Sequence, residues 1–115
     1  MPKHLHLDYE SFSLANLKEV GLDNYAKHPS TGVSMLGWAL DEEDVDVWLP
    51  YKGPMPAKLL NALRDPAVIK LGWNAQFEYS ITKYVTTRIV EGGLQVPIDQ
   101  FRDPMILAHN ISLPG

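Results

Sequence analysis

The chain has 115 residues, enough for one domain with a single hydrophobic core, and its 45% hydrophobic and 21% charged residues are ordinary for a globular protein. The absence of cysteine excludes disulfides, thiolate metal sites and a cysteine nucleophile, and it fits a reducing cytoplasm. The net charge of −4 argues against bulk electrostatic binding of nucleic acid, although bound metal ions can bring positive charge to an acidic site. No apolar stretch approaches the roughly 20 residues of a membrane span, so we expect a cytoplasmic protein with no membrane contact.

The distribution of apolar and turn-forming residues predicts one mixed sheet with helices on its faces. In chain order the predicted elements are a strand over Lys3–Tyr9, a short helical connection over Ala15–Tyr25, strands over Thr31–Leu40 and Val45–Leu49, a helix over Pro56–Arg64, a strand over Val68–Trp73, a helix over Asn74–Val90, a short strand over Val96–Phe101 and a last helix from Asp103 to Ile111. Three strands with tight connections, followed by alternating helices and strands, indicate an α/β fold. The first strand should lie near the middle, because right-handed crossovers place the later parallel strands beside it.

Two acids, Asp8 and Glu10, end the first predicted strand after the apolar Leu5 and Leu7. Side chains alternate along a strand, so the two carboxylates point the same way, about 7 Å apart. Such a pair is costly to bury unless a cation compensates it, and Mg²⁺ and Mn²⁺ prefer carboxylate oxygens. The alternative is that the strand has ended and both acids are solvated.

A second polar pair, Asn74 and Glu78, opens the long helix after the fourth predicted strand. The two residues are one helical turn apart, so both side chains can face the cleft at the end of the first strand. Alternatively, Asn74 is only the N-cap of the helix, and Glu78 is a surface acid near the positive end of the helix dipole.

The two pairs together resemble the first two motifs of the DEDD 3′–5′ exonucleases, Asp8-x-Glu10 and then Asn74-Ala-x-Phe77-Glu78. More closely, the runs Asp8-Tyr9-Glu10-Ser11 and Phe101–Ala108 resemble the N-terminal proofreading domain of bacteriophage-type family A DNA polymerases, which are similar in carrying Glu where the general pattern has Asp. The resemblance implies a ribonuclease H-like mixed sheet, with three antiparallel strands and then parallel strands. It makes residues 1–115 one partial exonuclease domain that is incomplete at its C-terminal end.

The implied activity is a two-metal 3′–5′ exonuclease that hydrolyses phosphodiester bonds at single-stranded DNA 3′ ends, with two Mg²⁺ or Mn²⁺ ions in a complete site. The resemblance makes Asp8 the bridging ligand, with Glu10 on the first ion and Glu78 on the second, directly or through water. The predicted substrate-binding residues are Asn74, Phe12 and Phe77. Phe12 lies just past the two acids, where an aromatic ring can pack against a terminal base.

The third motif of the family, a Tyr or His followed by the last metal-binding Asp, would lie beyond Gly115. We therefore expect weak or no hydrolysis by the 115 residues alone, a polymerase domain of the same or a neighbouring chain as partner, and self-association through exposed apolar surface. Two alternatives stay open. One is a catalytically inactive ribonuclease H-like interaction module, and the other is an exonuclease acting on RNA, since the acids contact phosphate rather than the sugar.

Two further residue groups are not assigned to the site. The tryptophans fall in predicted strands, which favours core positions over base-stacking surfaces for Trp38, Trp48 and Trp73. His4 and His6 share the face of the two acids by alternation, but the resemblance gives neither of them a metal-binding role.

Overall fold

Residues 2–104 are described by the computed structural model, and they form an α/β fold around one five-stranded mixed sheet. The strands are β1 (His4–Phe12), β2 (Gly32–Leu40), β3 (Asp46–Trp48), β4 (Ile69–Leu71) and β5 (Phe101–Arg102). The helices are α1 (Leu17–Lys27), α2 (Ala57–Arg64) and α3 (Ala75–Ile81), and α3 continues through a π-helical segment (Thr82–Thr86) into a final turn (Thr87–Ile89). A 3₁₀ turn (Ile98–Gln100) leads into β5.

β1 lies at the centre of the sheet, as the crossover rule predicts. The strand order is β3-β2-β1-β4-β5. β1 is antiparallel to β2 and β2 to β3, whereas β1 is parallel to β4 and β4 to β5. Three antiparallel strands followed by parallel strands, with flanking helices, are compatible with the expected ribonuclease H-like fold.

One face of the sheet and the helices share a hydrophobic core. Leu5, Leu7 and Tyr9 of β1 are buried, and they pack in one cluster with Leu59 of α2 and Ile81 of α3. Burial of a leucine side chain contributes about 1.5–3 kcal/mol relative to leaving it in water. The alternate residues of β1 are half-buried or exposed, so the strand has one apolar face and one polar face.

β1 is longer than the sequence predicts. It extends to Phe12 because β2 pairs with it antiparallel as far as Gly32. Asp8 and Glu10 therefore lie within the strand and not at its end, which corrects the predicted boundary at Tyr9. A residue in a ladder has a fixed side-chain direction, so the two acids are held more firmly than a strand terminus would hold them.

The chain after α3 matches the prediction in part. Gly92 and Gly93 end the helical segment with φ of 82° and 69°, a conformation that glycine adopts without strain. The predicted strand over Val96–Phe101 is misplaced, because Pro97 cannot donate to a strand ladder and a 3₁₀ turn follows it. The last predicted helix, Asp103–Ile111, lies outside the described residues except for its first two.

Two of the three tryptophans are in the core as predicted. Trp38 and Trp48 are buried, but Trp73 is 72% exposed because β4 ends at Leu71 and Trp73 lies in the turn before α3. Among the helices within residues 2–104, none has the length and apolar character to cross a membrane.

Candidate functional site

The candidate site lies where β1 runs past the end of β4. β4 pairs with β1 only as far as Leu71, which is opposite His6. Asp8 and Glu10 follow on β1, and both side chains are exposed on the face opposite the core. Residues two apart in a strand share a face, so the two carboxylates point to the same side of the sheet.

Asp8 borders a cleft of about 190 Å³ on this polar face. Gly37, its partner on β2, contributes no side chain to the cleft. Gly72 and Trp73, which connect β4 to α3, form another side of it. The cleft therefore joins the strand that carries the first acid to the segment that leads into the helix with the third acid.

A bulge in β2, at Ser34, lies opposite the step from Glu10 to Ser11 in β1. The pairing register with β2 shifts between Glu10 and Ser11, and the Glu10 carbonyl oxygen accepts a hydrogen bond of 3.0 Å from the Ser34 hydroxyl. Bulges redirect side chains and are over-represented next to active sites. The second acid of the pair therefore lies beside an irregular step of the β1–β2 ladder, whereas Asp8 lies in its regular part.

Glu78 is buried beside Gly72, with only 5% of its surface exposed. Its Cγ atom lies 2.6 Å from the position that a β-carbon on residue 72 would occupy, and its Cβ and Cδ atoms lie within 3.3 Å of that position. Only glycine at position 72 permits this approach. The interpretation of Glu78 as a surface acid is therefore wrong.

The Glu78 carboxyl group is poorly compensated. Burial raises its pKa to about 7, and the negative charge of Asp8 adds to the rise, while backbone hydrogen bonding by Tyr9 and by Glu78 itself opposes it. Its Oε2 atom is buried and has no hydrogen-bond partner among residues 2–104. A carboxyl in such surroundings takes either a proton or a cation.

Of the three predicted acids, the structure brings Asp8 and Glu78 together but not Glu10. The charge of Asp8 acts on Glu78, whereas Glu10 is not among the charges that shift the Glu78 pKa. Within residues 2–104, no three His, Cys, Asp or Glu side chains form a group that could hold a metal ion. His4 faces the Asp41 carboxylate at 3.9 Å and joins no such group either. The two-metal assignment of the three acids stays a prediction.

Asn74 is the N-cap of α3, which was one of its two interpretations. Its Oδ1 atom accepts a hydrogen bond of 3.2 Å from the Phe77 amide, and its carbonyl oxygen accepts one of 3.1 Å from the Glu78 amide. Phe77 is half-buried and packs against the core. A substrate contact by either residue remains a prediction.

Two exposed apolar residues follow the acids, Phe12 at the end of β1 and Leu14 two residues after it. Phe12 is 55% exposed, and its ring covers Gly32 of β2. Leu14 is 90% exposed, and its backbone amide donates a 2.8 Å hydrogen bond to the Ser30 hydroxyl, which ties the segment to the turn before β2. Sequence reasoning missed Leu14. The available signal was a leucine between small residues directly downstream of Asp8 and Glu10.

The comparison with known proteins gives one informative match. The chain is 29% identical over 115 residues to a DNA polymerase of Bacillus phage SP02. The chain is thus similar in sequence to a region of a DNA polymerase. The match covers 98% of this chain but only 17% of that polymerase, so the chain spans less than a fifth of its relative. No known family model matches the sequence.

Proposed function

We propose that this polymerase-related chain supplies the metal-binding part of a 3′–5′ exonuclease, which removes nucleotides from single-stranded DNA 3′ ends for a DNA polymerase. The observation that carries the proposal is the buried Glu78 carboxyl. One of its oxygens has no hydrogen-bond partner within residues 2–104, its side chain lies against Gly72, and the charge of Asp8 acts on it.

The residues present fit a hard divalent cation. A buried carboxyl with one oxygen that has no hydrogen-bond partner within residues 2–104, and a second acid close enough to perturb it, are donors that Mg²⁺ and Mn²⁺ take. Asp8 and Glu78 would hold the ion, and Glu10, on the same face as Asp8, would complete the acidic set. When bound, such an ion supplies the positive charge that activates water and stabilises the leaving oxygen in phosphodiester hydrolysis.

The other side chains act on the substrate in this proposal. Phe12 and Leu14 present apolar surface next to the acids, where a terminal base can pack against them. Asn74 holds the first turn of α3, and thereby the position of Glu78 four residues later. Phe77 supports the same turn from the core side. The partner in this proposal is the polymerase domain of the same or a neighbouring chain.

Titration with Mn²⁺, followed by the loss of the free-ion electron paramagnetic resonance signal, tests the proposal on the 115-residue chain. Asp8→Asn and Glu78→Gln should each weaken binding at least tenfold, because each removes a charged ligand while retaining its size. The matched control Glu19→Gln removes an exposed acid in the first turn of α1 and should bind as the parent chain does. Equal affinity in all four proteins would overturn the proposal.

The inactive interaction module remains a second candidate. It is favoured by the absence, within residues 2–104, of a three-residue metal-binding group. A 5′-labelled single-stranded oligonucleotide separates activity from binding. We expect Mn²⁺ binding with weak or no degradation by this chain alone. Neither binding nor degradation would support the module, and rapid degradation would contradict the expected weakness.

A further inference from the structure

We propose that Tyr9 is a positioning residue, whose hydroxyl group holds the helix carrying Glu78 against the strand carrying Asp8. The inference rests on the proposed function and deepens it, because it names what sets the spacing of the two acids. Tyr9 stands between Asp8 and Glu10 on β1, but its side chain points to the opposite face and is buried in the core.

A chain of buried hydrogen bonds connects Tyr9 to the backbone of Glu78. The Tyr9 hydroxyl lies 2.9 Å from the Thr82 Oγ1 atom and accepts a hydrogen bond of 3.0 Å from the Thr86 hydroxyl. The Thr82 hydroxyl in turn donates a hydrogen bond of 2.7 Å to the Glu78 carbonyl oxygen. The path therefore runs from the strand with two candidate ligands to the residue that carries the third.

The number of hydroxyl protons determines which group donates in each of these hydrogen bonds. Each hydroxyl has one proton, and the Thr82 proton is used on the Glu78 carbonyl oxygen, so Tyr9 must donate to Thr82. Thr86 therefore donates to Tyr9, Tyr9 donates to Thr82, and Thr82 donates to the carbonyl oxygen of Glu78. Every hydroxyl proton in it has an acceptor, and a fully satisfied buried network specifies one arrangement of its elements.

The helix is locally adapted to this contact. Thr82 and Thr86 are the first and last residues of the π-helical segment, and both are almost fully buried. A π-helical turn inside an α-helix is rare and is often found at functional sites. Here it lies directly after the turn of Glu78 and brings both threonine hydroxyls to the same phenol group.

The expected consequence is a loss of metal affinity without loss of a ligand. Tyr9→Phe retains the ring and its packing but removes the hydroxyl that joins β1 to the helix. Removing groups that orient metal ligands typically lowers metal affinity by about 10- to 100-fold. We expect at least a tenfold increase in the Mn²⁺ dissociation constant for Tyr9→Phe and for Thr82→Val. The double variant should be little weaker than either single variant, because both act on one contact.

The experiment compares Mn²⁺ affinity in the full 115-residue chain and its variants. Thr31→Val is the matched control, since Thr31 is also buried and its hydroxyl donates to the Tyr25 carbonyl oxygen, far along the chain from Glu78. Thr82→Ser retains the hydroxyl and should restore affinity close to that of the parent chain. A purely structural role predicts instead that all variants lose stability and none changes Mn²⁺ affinity in its folded form.

A metal-free measurement gives a second readout. In amide NMR spectra, Tyr9→Phe should shift the signals of Asp8, Gly72 and Glu78, and Thr31→Val should leave them in place. If the parent chain binds Mn²⁺ through Asp8 but Tyr9→Phe binds equally well with unshifted signals, the positioning role is overturned and the proposed function stands. If the parent chain binds no Mn²⁺, the proposed function fails, and the positioning role fails with it.

Discussion

Glu78 and Gly72 are in close contact: the Cγ atom of the glutamate lies 2.6 Å from the position that a β-carbon on residue 72 would take. The glutamate is buried on a helix, so its first side-chain atoms cannot move away freely. This contact fixes the position of the third acid relative to the end of β4. Replacing Gly72 by alanine, which adds one methyl group, tests it.

Gly72→Ala should lower the free energy of unfolding by about 1–3 kcal/mol, as overpacking of a buried site does. It should also weaken Mn²⁺ binding, because the Glu78 side chain must shift to admit the methyl group. Gly53→Ala is the matched control, since a β-carbon there meets no atom of residues 2–104 within 4 Å. That variant should be neutral or stabilising by up to about 1 kcal/mol. Chemical denaturation of both variants makes the comparison, and equal stabilities would contradict the steric argument.

The buried Lys70 should make the stability of the folded protein rise with pH. Its ammonium group is buried and donates hydrogen bonds to the Asp65 carbonyl oxygen at 2.9 Å and to the Gln100 side-chain oxygen at 2.6 Å. Burial lowers its pKa to about 8, and the charge of Asp65 opposes the shift only in part. Above that pH the folded state gives up this proton while the unfolded state retains it up to about pH 10.5, so the contribution of Lys70 to stability increases over that window.

Denaturation at pH 7.5 and pH 9.5 measures this effect. Lys70→Met should abolish the increase contributed by Lys70, whereas Lys52→Met, which removes an exposed lysine, should retain the parent behaviour. Ionisation of Tyr9 has the opposite effect and lowers stability, but only above the two pH values compared. Burial raises its pKa to about 12, so its contribution is complete below about pH 10 and is lost as the pH rises further. If the stability of Lys70→Met rises between pH 7.5 and pH 9.5 as much as that of the parent chain, Lys70 is not the source of the increase.

The alternation of residues along β1 was sufficient to predict which face carries the acids. Apolar Leu5 and Leu7 define one face, so Asp8 and Glu10 had to share the other. The central place of β1 followed from the handedness of crossovers, which depends on element order alone. These features are local or topological, and they do not depend on which side chains meet across the fold.

The sequence does not indicate the environment of a residue where distant neighbours set it. The burial of Glu78 depends on a glycine at position 72, and no periodic pattern indicates that contact. Lys70 is a charged residue inside a strand, and its burial requires the oxygen of Gln100, 30 residues later. Trp73 is exposed because β4 ends two residues earlier than the apolar pattern suggests. The hydroxyl partners of Tyr9 are Thr82 and Thr86, which lie 73 and 77 residues later, so no local pattern indicates them.

Asn74 allows its capping role to be separated from a substrate role. Asn74→Ala removes the oxygen that accepts from the Phe77 amide and should destabilise the protein by about 1 kcal/mol. Asn74→Ser restores a capping oxygen and should recover that stability, because serine is an equally good N-cap. Affinity for single-stranded DNA distinguishes the second role. If the amide contacts substrate, both variants lose affinity, and if Asn74 only caps the helix, the serine variant binds like the parent chain.

Phe12 should contribute to the binding of single-stranded DNA. Its ring is 55% exposed beside the acids, and removing an aromatic ring that stacks on a base costs about 1–3 kcal/mol of binding free energy. Phe12→Ala should therefore weaken oligonucleotide binding at least fivefold in fluorescence anisotropy. Tyr51→Ala, which removes another exposed ring in the loop after β3, is the control and should bind as the parent chain does. Equal losses in both variants would indicate nonspecific contact with exposed rings, and no loss in Phe12→Ala would remove this residue from the proposed site.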